Sequence, residues 1–84
     1  MNTRLTEKQT AQLEDILMKE LDVKREQLKP EFRIVEDLNA DSLTVIQIVM
    51  RIEDGFNITL SDEVAEKVGS VEDLYKIVAA RLGQ

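Results

Sequence analysis

Three stretches of this 84-residue chain return an apolar side chain every three or four positions, and that spacing narrows the available folds more than anything else in it. Leu13, Ile16, Leu17 and Leu21 form the first set. Val45, Ile48, Val49, Ile52 and Phe56 form the second, and Val71, Leu74, Ile77, Val78 and Leu82 the third. A period near 3.6 gives each segment one apolar stripe, which is stable only when laid against another element. Alternation of period two is confined to Ile58-Thr59-Leu60, too little for a sheet. The spacing predicts an all-α chain, a four-helix bundle with a short third helix, forming a single domain over 1–84. A chain this small removes only about 60–65% of its unfolded surface from water, so modest stability is expected.

The helix ends are marked by capping chemistry. Thr6 with Gln9 three residues on is a capping-box pattern and predicts a first helix over about 7–21. Residues 22–41, with the only proline, Pro30, form a connection longer than compact domains usually carry. Val23, Leu28, Phe32, Ile34 and Leu38 are expected to pin it to the core, with a short helical turn within it. The second helix should start at Asp41 or Ser42 and end near Gly55. Ser61 should cap a short segment over 62–68, which Gly69 stops. Ser70 with Asp73 marks the start of the last helix.

Composition removes whole classes of chemistry. With no cysteine and no histidine, the chain cannot assemble a Cys or His nucleophile–base pair, and it lacks the commonest general base and metal ligand. A net charge of −6 argues against nucleic acid as a partner. The acid is concentrated: residues 36–73 hold ten carboxylates against Arg51 and Lys67, a net −8, leaving +2 elsewhere. This is either a solvated face or a surface that steers positively charged partners. No apolar run approaches the roughly 20 residues needed to span a bilayer, and MNTRLTEKQTAQLED has no signal-peptide core. A soluble, cytoplasmic, monomeric protein without a metal site is expected.

The second helix carries two apolar stripes. Opposite the core stripe, Leu43, Ile46 and Met50 recur at i, i+3 and i+7, with Gln47 and Asp54 on the same side and Glu53 at its edge. Either the helix is wrapped on all sides or this second stripe is exposed. So short a chain has few elements to cover both faces, which favours exposure and a partner-docking role, with methionine as the adaptable contact.

Ser42 opens that helix. Asp and Ser are favoured helix caps, and by itself Asp41-Ser42-Leu43 reads as a cap. Asp37, Asn39 and Asp41 also imitate the first three ligands of a calcium loop. The turn position is Ser42 rather than Gly, however, and the bidentate position is Ile48 rather than Glu, so the calcium reading fails.

Glu36-Asp37-Leu38-Asn39-Ala40-Asp41-Ser42-Leu43 resembles the E-D-L-G-A-D-S-L signature of acyl carrier proteins. The likeness continues through Val49-Met50, Glu53, Phe56, Asp62-Glu63 and Ala65-Glu66-Lys67 to Val71 and Asp73. The resemblance implies a carrier rather than an enzyme, with 4′-phosphopantetheine attached to Ser42, flanked by Asp41 and Leu43, by a separate phosphopantetheinyl transferase. It implies docking of acyl-chain synthesis and transfer enzymes, through basic patches, on Leu43, Ile46, Gln47, Met50, Glu53 and Asp54. It implies too that Ile48, Ile52 and Phe56 with Leu74 and Ile77 line a cavity for the acyl chain. Asp41 distinguishes the motif from the G-G-x-S of aminoacyl carriers.

The chain departs from the family's pattern at several positions. Asn39 replaces a glycine, Thr44, Gln47 and Gly55 stand where acids are common, and Arg51 adds a cation. Fatty-acid biosynthesis is the pathway first implied. A dedicated carrier for a polyketide or modified lipid is the alternative, followed by an unmodified interaction module in which Ser42 only caps a helix.

Overall fold

A computed structural model describes residues 5–83. Among them the chain is all-helical: α1 (Glu7–Leu21), α2 (Ser42–Phe56), α3 (Asp62–Glu66) and α4 (Val71–Arg81), with a 3-10 turn at Arg25–Gln27. The predicted caps form. Thr6 Oγ1 accepts from Gln9 N at 3.1 Å while Gln9 Oε1 accepts from Thr6 N at 2.9 Å. Ser70 and Asp73 do the same for α4, each bond at 3.1 Å. Each exchange satisfies backbone donors that a helix start otherwise leaves open. Two helix ends turn through left-handed residues, Asp22 after α1 and Asn57 after α2, each at φ 56°.

The stripes meet in one core. Leu13, Leu17, Ile52, Val71, Leu74 and Val78 are fully enclosed, and α1 packs directly on α2. At the far end of α2, Gln12 Nε2 donates to the Gly55 carbonyl at 2.8 Å, tying the two helices through an otherwise unsatisfied acceptor.

The 22–41 connection is held as expected by buried Leu28, Ile34 and Leu38, with Val23 and Phe32 partly covered. A second attachment left no trace in the hydrophobic pattern. Arg33 and Ser70 form an isolated antiparallel bridge. Ile34 N donates to Gly69 O at 2.9 Å, Val71 N to Phe32 O at 2.9 Å, and Glu72 N to Pro30 O at 3.0 Å. The loop's carbonyls thereby satisfy two of the opening amides of α4.

Two expectations around α3 need correction. The helix ends at Glu66, not Val68. Its last turn tightens into i→i+3 bonds, Lys67 N to Val64 O at 3.0 Å and Val68 N to Ala65 O at 3.2 Å. Gly69 does not stop it through a left-handed backbone, since Gly83 is the only glycine at positive φ among the described residues. Close approach explains Gly69 instead: a Cβ there would lie 2.9 Å from Arg33 Nη2 and 3.1 Å from Asp73 Oδ2.

Candidate functional site

The long loop delivers its last residues to α2 in a fixed posture. Asn39 takes a left-handed conformation at φ 60°, which Asn tolerates better than most residues. Ala40 is buried, and its N–H donates to Ile34 O at 3.1 Å. Asp41 is extended at φ −97°, and its Oδ1 accepts from Thr44 N at 2.8 Å. Asp41 is therefore the N-cap and Ser42 the first helical residue.

That one-residue offset separates the serines at helix starts. Ser61 Oγ accepts from Val64 N at 3.2 Å and Ser70 Oγ from Asp73 N at 3.1 Å, so both are engaged as caps. Ser42 is exposed, and no hydrogen bond of its hydroxyl is found among the described residues. The reading of Ser42 as a cap loses its basis, because Asp41 already does that work. The amide hydrogen bond from Thr44 holds the Asp41 carboxyl below its ordinary value, so it is ionised beside Ser42 at neutral pH.

The acids of the calcium-like spacing have hydrogen-bond partners of their own. One Asp37 oxygen accepts from Arg33 N at 2.7 Å and one Asp41 oxygen from Thr44 N. No cluster of three or more potential metal ligands exists among the described residues.

The second stripe of α2 is open. Leu43, Ile46 and Met50 are 62%, 54% and 56% exposed, joined by Val35 at 50%. Sequence periodicity found the first three and missed Val35, a lone loop residue that no repeat marks. Gln47 and Asp54 are exposed beside them. Glu53 is half-buried and differently employed: its Oε2 accepts from Leu60 N at 2.8 Å, bracing the turn after α2.

Beside Ser42 an open groove of about 500 Å³ runs between α2 and α3, lined by Val35, Val45, Ile46, Ala65 and Val68 with Asp62 and Glu66. Of the core stripe Val45 alone lines it, so it is not the cavity expected among Ile48, Ile52, Phe56, Leu74 and Ile77. Ile48, Ile52 and Leu74 are closed in the core, while Phe56 and Ile77 are only half-buried. The physical cause is α3, which has five residues and buries none of them, too little to seal the flank of α2.

Burial pushes the Tyr75 hydroxyl up to about 12, so it stays neutral, and there is no thiol or imidazole.

A family model for the phosphopantetheine attachment site matches residues 11–78. The acyl carrier protein of Helicobacter hepaticus is 43% identical over 65 residues, which cover 77% of this chain and 86% of that protein. The chain belongs to the acyl carrier protein family. The acyl carrier protein of Wolinella succinogenes is 41% identical over 66 residues, 79% of this chain and 87% of that one. Among solved structures, the Thermotoga maritima acyl carrier protein matches with a TM-score of 0.76 at 33% identity, covering 90% of this chain and 88% of its own. The one from Enterococcus faecalis matches at 0.65 and 32%, covering 82% and 96%. As an acyl carrier protein the chain is a carrier rather than a catalyst, and its cofactor is phosphopantetheine.

Proposed function

We propose that Ser42 bears the 4′-phosphopantetheine arm and that this carrier serves fatty-acid biosynthesis. The observation that carries the assignment is the division of labour at the start of α2: Asp41 caps the helix, and the Ser42 hydroxyl is left exposed. A serine engaged as a cap would have to break a hydrogen bond before it could be modified. Ser42 does not.

The residues present fit the group. The helix N-terminus favours a phosphodiester anion by about 0.3–1 kcal/mol, which the ionised Asp41 beside it opposes. The α2–α3 groove that opens at Ser42 offers apolar walls from Val45, Ile46 and Ala65. Attached there, phosphopantetheine supplies the thiol that this chain lacks and holds acyl groups as thioesters. The chain's own part is to present, shield and dock.

Docking falls to the open face of α2: Leu43, Ile46 and Met50 supply apolar contact, with Gln47, Glu53 and Asp54 around them. Asp62, Glu63 and Glu66 on α3 add a negative edge that suits the basic patches of a phosphopantetheinyl transferase and of acyl-chain enzymes. Charge steering with a small apolar contact gives fast association and easy release, as a monomeric carrier shared among enzymes requires. No helix among the described residues is long and apolar enough to cross a membrane, which fits work in the cytoplasm.

A second reading, a carrier dedicated to a polyketide or modified lipid, is favoured by the weak charge of α2, whose only charged residues are Arg51, Glu53 and Asp54. The test is conversion of the chain with coenzyme A and a broad-specificity phosphopantetheinyl transferase, followed by malonyl loading with a fatty-acid malonyl transferase. Loading at rates like those of a fatty-acid carrier supports the first reading. Efficient conversion with poor loading supports the second, and no conversion removes both.

A further inference from the structure

The exposed ridge of α2 separates two unlike clefts. On the α3 side, Met50 and Ile46 share a hollow with Glu53 and Asp62. On the α1 side, Met50 shares a cleft of about 290 Å³ with Glu20, Gln47, Arg51 and Asp54. The first is lined by carboxylates alone among its charged groups. The second holds the single cation of α2.

Arg51 is placed to be felt. Its Nε lies 3.2 Å from Glu20 Oε2, and its side chain is 63% exposed while that of Glu20 is 13% exposed. Of this pair an approaching surface meets the guanidinium first and the Glu20 carboxylate hardly at all, and the exposed Asp54 carboxylate borders the same cleft. A guanidinium has five N–H donors in a fixed fork, and an anchor at Nε leaves others for a second carboxylate. Position 47, one helical turn before Arg51, holds Gln. A glutamate there would pair with Arg51 along the helix and silence it.

We propose that Arg51, positioned by Glu20, makes the docking face two-signed. It selects partner proteins that set a carboxylate against the α1 side of α2 while their cations meet the α3 side. This rests on the carrier reading above and names the chemistry of the partner's surface. A partner whose patch is basic across its full width meets repulsion at Arg51. A partner with one acidic residue there gains a charge-assisted, directional contact.

The probe is a fatty-acid malonyl transferase with a basic docking patch, together with variants in which each patch Lys or Arg is reversed to Glu singly. The parent carrier, Arg51→Ala, Arg51→Glu and Glu20→Gln are first converted to the holo form and checked by intact mass. Against the unaltered transferase, Arg51→Glu should raise kcat/KM by roughly two- to five-fold at low salt, through KM, and the gain should vanish as salt is raised. At one transferase position, reversal to Glu should speed loading of the parent carrier and slow loading of Arg51→Glu. Glu20→Gln should weaken that coupling without abolishing it. If Arg51→Ala and Arg51→Glu load no faster than the parent, and no reversal changes sign between carriers, the inference is overturned and Arg51 is only a brace for Glu20. Failure of the parent itself to gain the arm would instead overturn the carrier reading beneath it.

Discussion

Side chains of the same chemistry meet opposite fates on the two faces of α2. Ile48, Val49 and Ile52 are 2%, 8% and 0% exposed, whereas Leu43, Ile46 and Met50 all stand above 50%. Hydrophobicity does not sort them; their neighbours do. The first face has α1 packed on it and Leu74 and Val78 of α4 within the same core. Among the described residues the second is flanked by the loop residue Val35, the five-residue α3 and, at Met50, Glu20 of α1. Full burial of a side chain of this size is worth about 1.5–3 kcal/mol. A chain with little core to draw on thus leaves several kcal/mol of possible stabilisation unused along one line, and that line begins next to Ser42. An apolar strip maintained at such cost is expected to be covered intermittently by a partner.

Four perturbations would break or sharpen this contrast. The largest effect is expected from Ile52→Ala, which opens a cavity on the closed face and should cost about 2–5 kcal/mol in denaturant unfolding. Next is Asp41→Ala, which removes the α2 cap and should cost about 0.5–2 kcal/mol, whereas Ser42→Ala beside it should leave the cap intact. The Asp41 effect should depend on pH. The carboxyls of Asp41 and Asp73 are held below their ordinary value of 3.8 by backbone amides, so their contribution is complete above that value and fades as pH falls through the lowered one. The acid limb of the stability curve should accordingly be shallower in Asp41→Ala.

A smaller effect, below about 1 kcal/mol, is expected from salt. No cation lies within ion-pair distance of Asp54, Asp62, Glu63 or Glu66 among the described residues. Screening of their mutual repulsion should therefore raise the melting temperature at neutral pH. A flat or falling response would mean that these carboxylates do not repel one another appreciably. The smallest change in stability, within about 0.5 kcal/mol, belongs to Met50→Ala, which should nonetheless slow modification or acyl loading. Equal losses in Ile52→Ala and Met50→Ala would erase the distinction between the faces.

Much of this was legible in the sequence because it rests on local rules. Thr6 with Gln9 and Ser70 with Asp73 announce their helices by spacing, and the two stripes of α2 follow from a period of 3.6. The positive φ of Asn39 follows from an asparagine standing in a glycine's place. What escaped depends on contacts between distant residues. The Arg33–Ser70 bridge uses backbone groups, which carry no side-chain signature, and it also explains Gly69, whose tightness comes from Arg33, far away in sequence. Glu53 reads as a surface acid until Leu60 N is found against it. The closing of Ile48 and Leu74 and the opening of the groove at Val45 depend on how much α3 can cover, which the length of a capped segment only hints at.

The account turns on Ser42 being the free serine, and site mapping tests that most directly. The chain should be incubated with coenzyme A and a broad-specificity phosphopantetheinyl transferase, then digested and sequenced by tandem mass spectrometry. The account predicts one phosphopantetheinyl group, located on Ser42, with Ser61 and Ser70 unmodified and no mass gain in a folded Ser42→Ala variant. An arm found on Ser61 or Ser70, or a gain that survives Ser42→Ala, would contradict it.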